Sequence, residues 1–97
     1  MPTYITLFHF TQQGIEKIKE SPARLDRVKE AVKAAGGELK AFYLTMGQYD
    51  GVVISEAPSD EAYTRTILAI ASAGSVRTET FRAYTEEEYR KIIAALP

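Results

Sequence analysis

The sequence predicts an α+β fold in which four strands form one antiparallel sheet and helices cover one of its faces. Strand-like runs rich in β-branched and aromatic residues recur four times along the chain. Amphipathic stretches of helical period separate the first run from the second and the third from the fourth. Only a short glycine-containing turn separates the middle two, which makes them antiparallel neighbours.

The first strand is read over Thr3 to Phe10, Thr-Tyr-Ile-Thr-Leu-Phe-His-Phe. Thr11 then offers an N-cap for a short helix through Ile15 and Ile18. Ser21-Pro22 reads as a fresh start, with the serine as cap and the proline in the first turn, where its missing N–H would be unpaired anyway. Leu25, Val28, Val32 and Ala35 make one helical stripe, and Gly36-Gly37 ends it. Leu39 to Met46 is the second strand, Gly47-Gln48-Tyr49-Asp50 the hairpin connection, and Gly51 to Ala57 the third strand. Ser59 caps the next helix, with acidic residues on its positive end, Tyr63, Ile67 and Ile70 as its buried stripe and Gly74 as its stop. Val76 to Tyr84 is the fourth strand. Thr85-Glu86-Glu87-Glu88 is a capping-box pattern with Tyr84 and Tyr89 placed for a hydrophobic staple, and Ile92, Ile93 and Leu96 give the last helix an apolar side. The order β-α-β-β-α-β-α is that of a ferredoxin-like domain with an added C-terminal helix.

At 97 residues the chain is the size of one domain, spanning 1–97. A domain this small buries a limited share of its surface, which favours self-association. The net charge of −1 provides no basic excess for a phosphate backbone, so no nucleic-acid partner is expected. The absence of cysteine removes disulfides, thiolate catalysis and zinc–thiolate sites. No Gly-rich phosphate loop and no nucleophile elbow is present, and no cofactor is expected. Met1-Pro2-Thr3-Tyr4 lacks a basic segment followed by an apolar run, and no stretch approaches the roughly 20 apolar residues of a membrane span. The expected location is therefore cytoplasmic, without a membrane partner.

Alternation along the strands divides each into two sets. Phe42, Leu44, Met46, Val53 and Ser55 share one face of the hairpin; Leu39, Ala41, Tyr43, Thr45, Val52, Ile54 and Glu56 share the other. In the first strand the sets are Ile5, Leu7 and His9 against Tyr4, Thr6, Phe8 and Phe10. The more purely aliphatic set is expected to meet the helices. Both sets carry large apolar groups, whereas a sheet with one bare face should alternate apolar with polar. An uncovered apolar face of this kind marks an interaction site. The expectation is a homodimer, or a larger oligomer, with sheets facing each other around a shared pocket.

Candidate functional residues gather at the hairpin. Gly47 relieves the turn and Asp50 bonds to hairpin backbone in one reading, with Tyr49 packed on a neighbouring subunit; in the other reading Tyr49 and Asp50 line a ligand pocket. His9, the sole histidine, is either a satisfied structural residue or a general base. Without a second histidine or a cysteine it does not suggest a metal site. Glu56 and Glu79 fall on strands, where a carboxylate facing a subunit interior needs a partner that Arg77 or Arg82 could supply.

Met46-Gly47-Gln48-Tyr49-Asp50, followed by a hydrophobic strand to Glu56-Ala57-Pro58, resembles the GYD-domain family. So do Gly74-Ser75-Val76-Arg77-Thr78-Glu79-Thr80, Phe81-Arg82-Ala83-Tyr84-Thr85, the opening Pro2-Thr3-Tyr4-Ile5-Thr6-Leu7 and the segment Ile18-Lys19-Glu20-Ser21-Pro22. The resemblance covers essentially the whole chain. It implies a ferredoxin-like domain of the dimeric α+β-barrel group and no single activity. The hairpin and the Val-Arg-Thr-Glu-Thr strand are also distantly similar to the effector-sensing domain of leucine-responsive-type regulators. Those domains assemble as dimers and bind amino acids between subunits. This chain carries no DNA-binding helix-turn-helix, so direct gene regulation is not expected. Two functions follow: a homo-oligomeric domain that binds a small ligand at a subunit interface, or a cofactor-free monooxygenase- or isomerase-like enzyme using an inter-sheet pocket.

Overall fold

The computed structural model describes residues 1–97. Strand β1 (Thr3–Phe10) leads into a short helix α1 (Gln12–Glu16), a 3₁₀ turn (Ile18–Glu20) and helix α2 (Ser21–Ala34). Strands β2 (Glu38–Leu44) and β3 (Gly51–Glu56) follow, then α3 (Asp60–Ser72), β4 (Val76–Ala83) and α4 (Glu86–Ala94). The sheet order is β2-β3-β1-β4 and every neighbouring pair is antiparallel. This is the ferredoxin-like α+β arrangement expected of two βαβ halves joined by a hairpin.

Local chemistry sets the element ends. The hydroxyls of Thr11 and Ser59 accept from the backbone N–H groups of Gly14 and Ala62, which caps α1 and α3. Thr85 and Glu88 form the full capping box on α4. Ser21 does not cap α2: its backbone is already helical because the 3₁₀ turn runs straight into the helix, and Pro22 occupies the first turn. Tyr84 and Tyr89 both remain more than half exposed, and Tyr84 instead lies under the Arg82 guanidinium, 4.6 Å from its ring centroid.

The face that meets the helices is the mixed one. Tyr4, Thr6, Phe8, Val53 and Ser55 are buried, whereas Ile5, Leu7, Val52 and Ile54 between them are partly exposed. This overturns the expectation that the aliphatic set would pack inside, and hydrogen bonding explains it. The Tyr63 hydroxyl of α3 lies 2.9 Å from Thr6 Oγ1, which is also 3.0 Å from Thr80 Oγ1. Tyr4 donates to Asp60 at 2.5 Å and stacks on the Tyr63 ring at 4.4 Å between centroids. Polar groups are tolerated in a core when they pair there. A break in register between Leu39 and Ala41 puts Leu39 opposite Ser55, so it leaves the Ala41–Tyr43 set in which strict alternation would place it.

Packing is uneven along that face. At one end Tyr4, Ala57 and Tyr63 form a closed cluster with Ile67 against it. Toward the other end the Phe8 ring lies 5.4 Å from Phe10 and 5.9 Å from Phe42. Gly51 stands opposite Phe8, and a Cβ there would fall 2.3 Å from the phenyl ring, so the residue must be glycine for the ring to fit. Between these rings and helices α2 and α3 lies an apolar cavity of about 630 Å³.

Candidate functional site

The other face of the sheet is uncovered. Register aligns Ile5 with Ile54 and Phe81, and Leu7 with Val52 and Glu79. Ala41 and Tyr43 continue the face onto β2, opposite Ile54 and Val52. Tyr43 on edge strand β2 is 59% exposed and Phe81 on edge strand β4 46%, and these large rings add to an unsatisfied apolar surface.

One corner of this face gathers most of the residues singled out above. His9 stands opposite Arg77 at the end of the β1–β4 ladder, and Glu79 lies one step inward opposite Leu7. The hairpin loop brings Tyr49 across β1: its ring stacks on His9 at 4.8 Å, and its hydroxyl donates to Glu79 Oε2 at 2.5 Å. That hydrogen bond to a carboxylate raises the Tyr49 pKa above its ordinary value. Gly47 has a φ of +114°, a left-handed conformation with open space around it, so it serves the turn. The Thr45 hydroxyl and N–H close the loop onto Tyr49 O and Asp50 O at 2.7 and 2.9 Å.

Asp50 works at longer range than a turn aspartate. Its Oδ2 accepts from the backbone N–H of Phe10 at 2.8 Å, and its own N–H donates to Phe8 O at 2.9 Å. Asp50 therefore clamps the hairpin to the end of β1 and positions Tyr49 over His9, and it does not bond to hairpin backbone through its side chain. Glu56 lies at the far end of the sheet, opposite Thr3, with Lys40 as its nearest cation at 3.8 Å. The expected pairing of Glu56 or Glu79 with Arg77 or Arg82 does not occur. Arg82 belongs to the helix-side set, opposite Tyr4, and its near neighbours are Asp60 and the rings of Tyr4 and Tyr84. Arg77 makes no ion pair and is exposed at the corner.

A second cluster, Tyr4–Asp60–Tyr63–Arg82, was not singled out from sequence, because nothing local links Tyr4 and Arg82 to the first turn of α3 that carries Asp60 and Tyr63. It borders a groove of about 350 Å³ beside α3. No three His, Asp or Glu side chains converge as a metal ion would require. His9 lines neither this groove nor the larger cavity.

The sheet order and the cross-strand hairpin corner define a ferredoxin-like domain with a bare sheet face. The chain belongs to the GYD domain family, whose model matches residues 4–93. A Thermus thermophilus protein named as a glutamine synthetase and cystathionine beta-lyase binding protein is 37% identical over 84 residues, covering 86% of this chain and 88% of its own. A solved Thermus thermophilus structure superposes with a TM-score of 0.54 at 26% identity, covering 88% of this chain and 99% of that one. A feast or famine regulatory protein from M. tuberculosis, solved with L-methionine, superposes with a TM-score of 0.66 at 16% identity, a likeness of fold. The match covers 88% of this chain, which spans about half the length of that regulator, 51%. No helix is long and apolar enough to cross a membrane.

Proposed function

We propose that this chain is a binding domain that self-associates through its bare sheet face and receives a small zwitterionic ligand at the His9–Tyr49–Glu79–Arg77 corner. The apolar face of Ile5, Leu7, Val52, Ile54, Tyr43 and Phe81 carries the reading, since surfaces of this kind are interaction sites. The corner adds the chemistry. Arg77 is a free cation suited to a carboxylate, and Glu79 a carboxylate suited to an ammonium group. The two stand on the same face of β4, two residues apart, with the His9 and Tyr49 rings beside them. Amino acids are the simplest ligands with both charges, and a fold neighbour was solved with one. The enzymatic alternative has less support, because His9 is stacked under Tyr49 and lines neither cavity.

Light scattering coupled to size exclusion at micromolar concentration should give twice the chain mass or more. Calorimetric titration with L-methionine and other amino acids should show saturable binding that Arg77→Ala weakens at least about tenfold, the loss of one charge-assisted contact. A monomer with no heat from any amino acid would refute the reading. The name of the Thermus relative supports a second reading, in which the same face holds another protein. Retention of purified glutamine synthetase by the immobilised chain, lost on Ile54→Asp and indifferent to Arg77→Ala, would favour it.

A further inference from the structure

We infer that the cavity between the helices and the sheet is a second binding site, for an amphiphilic anion: a carboxylate on an acyl chain of medium length. The cavity lies on the opposite side of the sheet from the hairpin corner and within one chain, so the inference does not depend on the oligomer or on the corner's ligand.

The floor decides the body of the ligand. Phe8, Phe42 and Val53 on the sheet and Val28, Ile67 and Ile70 on the helices line a volume of about 630 Å³, in the range of small-molecule pockets. Along β1 the lining runs from Thr6 to Phe10, about 13 Å of strand, an extent that suits a chain. The helices do not close over this floor. Ala31 on α2 and Ala69 and Ala73 beside it on the α3 side line the cavity and are exposed, and a methyl group is too short to cover the rings below.

The charge of the wall decides the head group. No Asp or Glu lines the cavity, whereas Arg24 and Arg27 do. They stand three positions apart on α2, which makes them neighbours on the helix surface. Arg65, Arg82 and Arg90 each have a carboxylate close by, but neither Arg24 nor Arg27 forms an ion pair. Arg24 donates to the carbonyls of Lys17 and Gly14 at 3.0 and 3.2 Å, which orients its guanidinium and leaves other N–H donors free. Ser21, one turn before Arg24, and Ser75, whose backbone packs against Gly14, add partly exposed hydroxyls to the same wall. Two cations without a facing anion, above an apolar floor, match a ligand with one negative end. A cationic head would meet like charge there, and a neutral head would leave both guanidiniums unpaired. The whole chain carries a net charge of −1, so an attraction for anions has to come from this wall.

The test compares octanoate, 1-octanol and octylammonium, one chain with three heads, by amide chemical shifts of the isotopically labelled full chain. Octanoate should shift Val28, Phe42, Val53 and Ile70 saturably. At low salt it should bind about threefold to tenfold tighter than octanol and at least about tenfold tighter than octylammonium. Acetate, which lacks the apolar body, should leave these residues unmoved. Arg27 is exposed and unpaired, so Arg27→Glu should keep the fold while erasing the preference for octanoate over octylammonium. Arg24→Gln keeps a donor for the α1 carbonyls and should weaken octanoate about fivefold. Octanoate binding no tighter than octanol, an unchanged preference in Arg27→Glu, or shifts confined to Ile5, Leu7 and Ile54 would each overturn the inference. A halving of the light-scattering mass in step with the shifts at Val28, Val53 and Ile70 would assign the cavity to a second copy of the chain, and would overturn it too.

Discussion

The two faces of the sheet divide their chemistry in the opposite way from a solitary α+β domain. The face under the helices holds hydroxyls, Tyr4 stacked on Tyr63 of α3, and phenylalanines; the bare face holds Ile5, Leu7, Val52 and Ile54 with two exposed rings. At its closed end the covered face can be polar because α3 returns partners, Tyr63 for Thr6 and Asp60 for Tyr4. The bare face offers few hydrogen-bonding side chains away from the hairpin corner, and branched apolar groups gain nothing from water. A sheet whose aliphatic side is turned outward leaves its branched apolar groups on the side away from its own helices.

The strongest way to break this comparison is Ile54→Asp, at the centre of the bare face. In a two-fold dimer the substitution appears twice, and each lost isoleucine removes about 1.5–3 kcal/mol of burial. Association should weaken by at least about 100-fold, read by light scattering across a dilution series, while the far-ultraviolet circular dichroism stays that of the folded chain. Unchanged mass would mean that this face is not the contact. Gly51→Ala strikes the covered face instead. The new methyl group meets the Phe8 ring, so urea unfolding should show a loss of about 1–3 kcal/mol with the oligomer mass preserved.

How far the chain could be read in advance depends on the range of each interaction. The caps at Thr11, Ser59 and Thr85 involve residues within one turn, and all three are where local pattern places them. The hairpin follows from a connection too short for anything else. Which face meets the helices depends instead on Tyr63 finding Thr6, 57 positions away in sequence, and no local pattern contains that. Leu39 changes face through a register break that alternation cannot foresee. Asp50 has the composition of a turn residue, yet its carboxylate serves β1, 40 positions earlier. Likewise His9, Tyr49, Arg77 and Glu79 are recognisable one by one as groups with chemistry, but their meeting requires the β1–β4 register, and the β1–β3 register leaves Glu56 at the far end of the sheet.

Tyr63→Phe sharpens the contrast at smaller scale. It removes the hydroxyl at Thr6 and keeps the ring that stacks on Tyr4, and Thr6 retains Thr80 as a partner. The expected cost is about 1 kcal/mol in urea unfolding, the net worth of one internal hydrogen bond. A cost near zero would mean that the polar groups of the covered face are passengers of its aromatic packing.

The finest distinction is electrostatic and concerns Tyr4. Its pKa is pushed from 10.0 up to about 12, first by burial, then by its hydrogen bond to Asp60 and the charge of that carboxylate, with Arg82 acting the other way. A phenol with a raised folded-state pKa holds its proton more tightly when folded, so its contribution to stability is complete below pH 10 and is lost as pH rises from 10 toward 12. Global effects of alkaline pH cancel in the difference from Asp60→Asn, which is therefore the informative quantity. That variant keeps an acceptor for the Tyr4 hydroxyl and removes the negative charge, which lowers the folded pKa. Its unfolding free energy should therefore fall less steeply between pH 10 and 12 than that of the wild type, even if its stability at pH 7 is slightly lower from the lost charge at the start of α3. Parallel curves would show that the Asp60 charge does not reach the tyrosine, and that burial alone holds its proton.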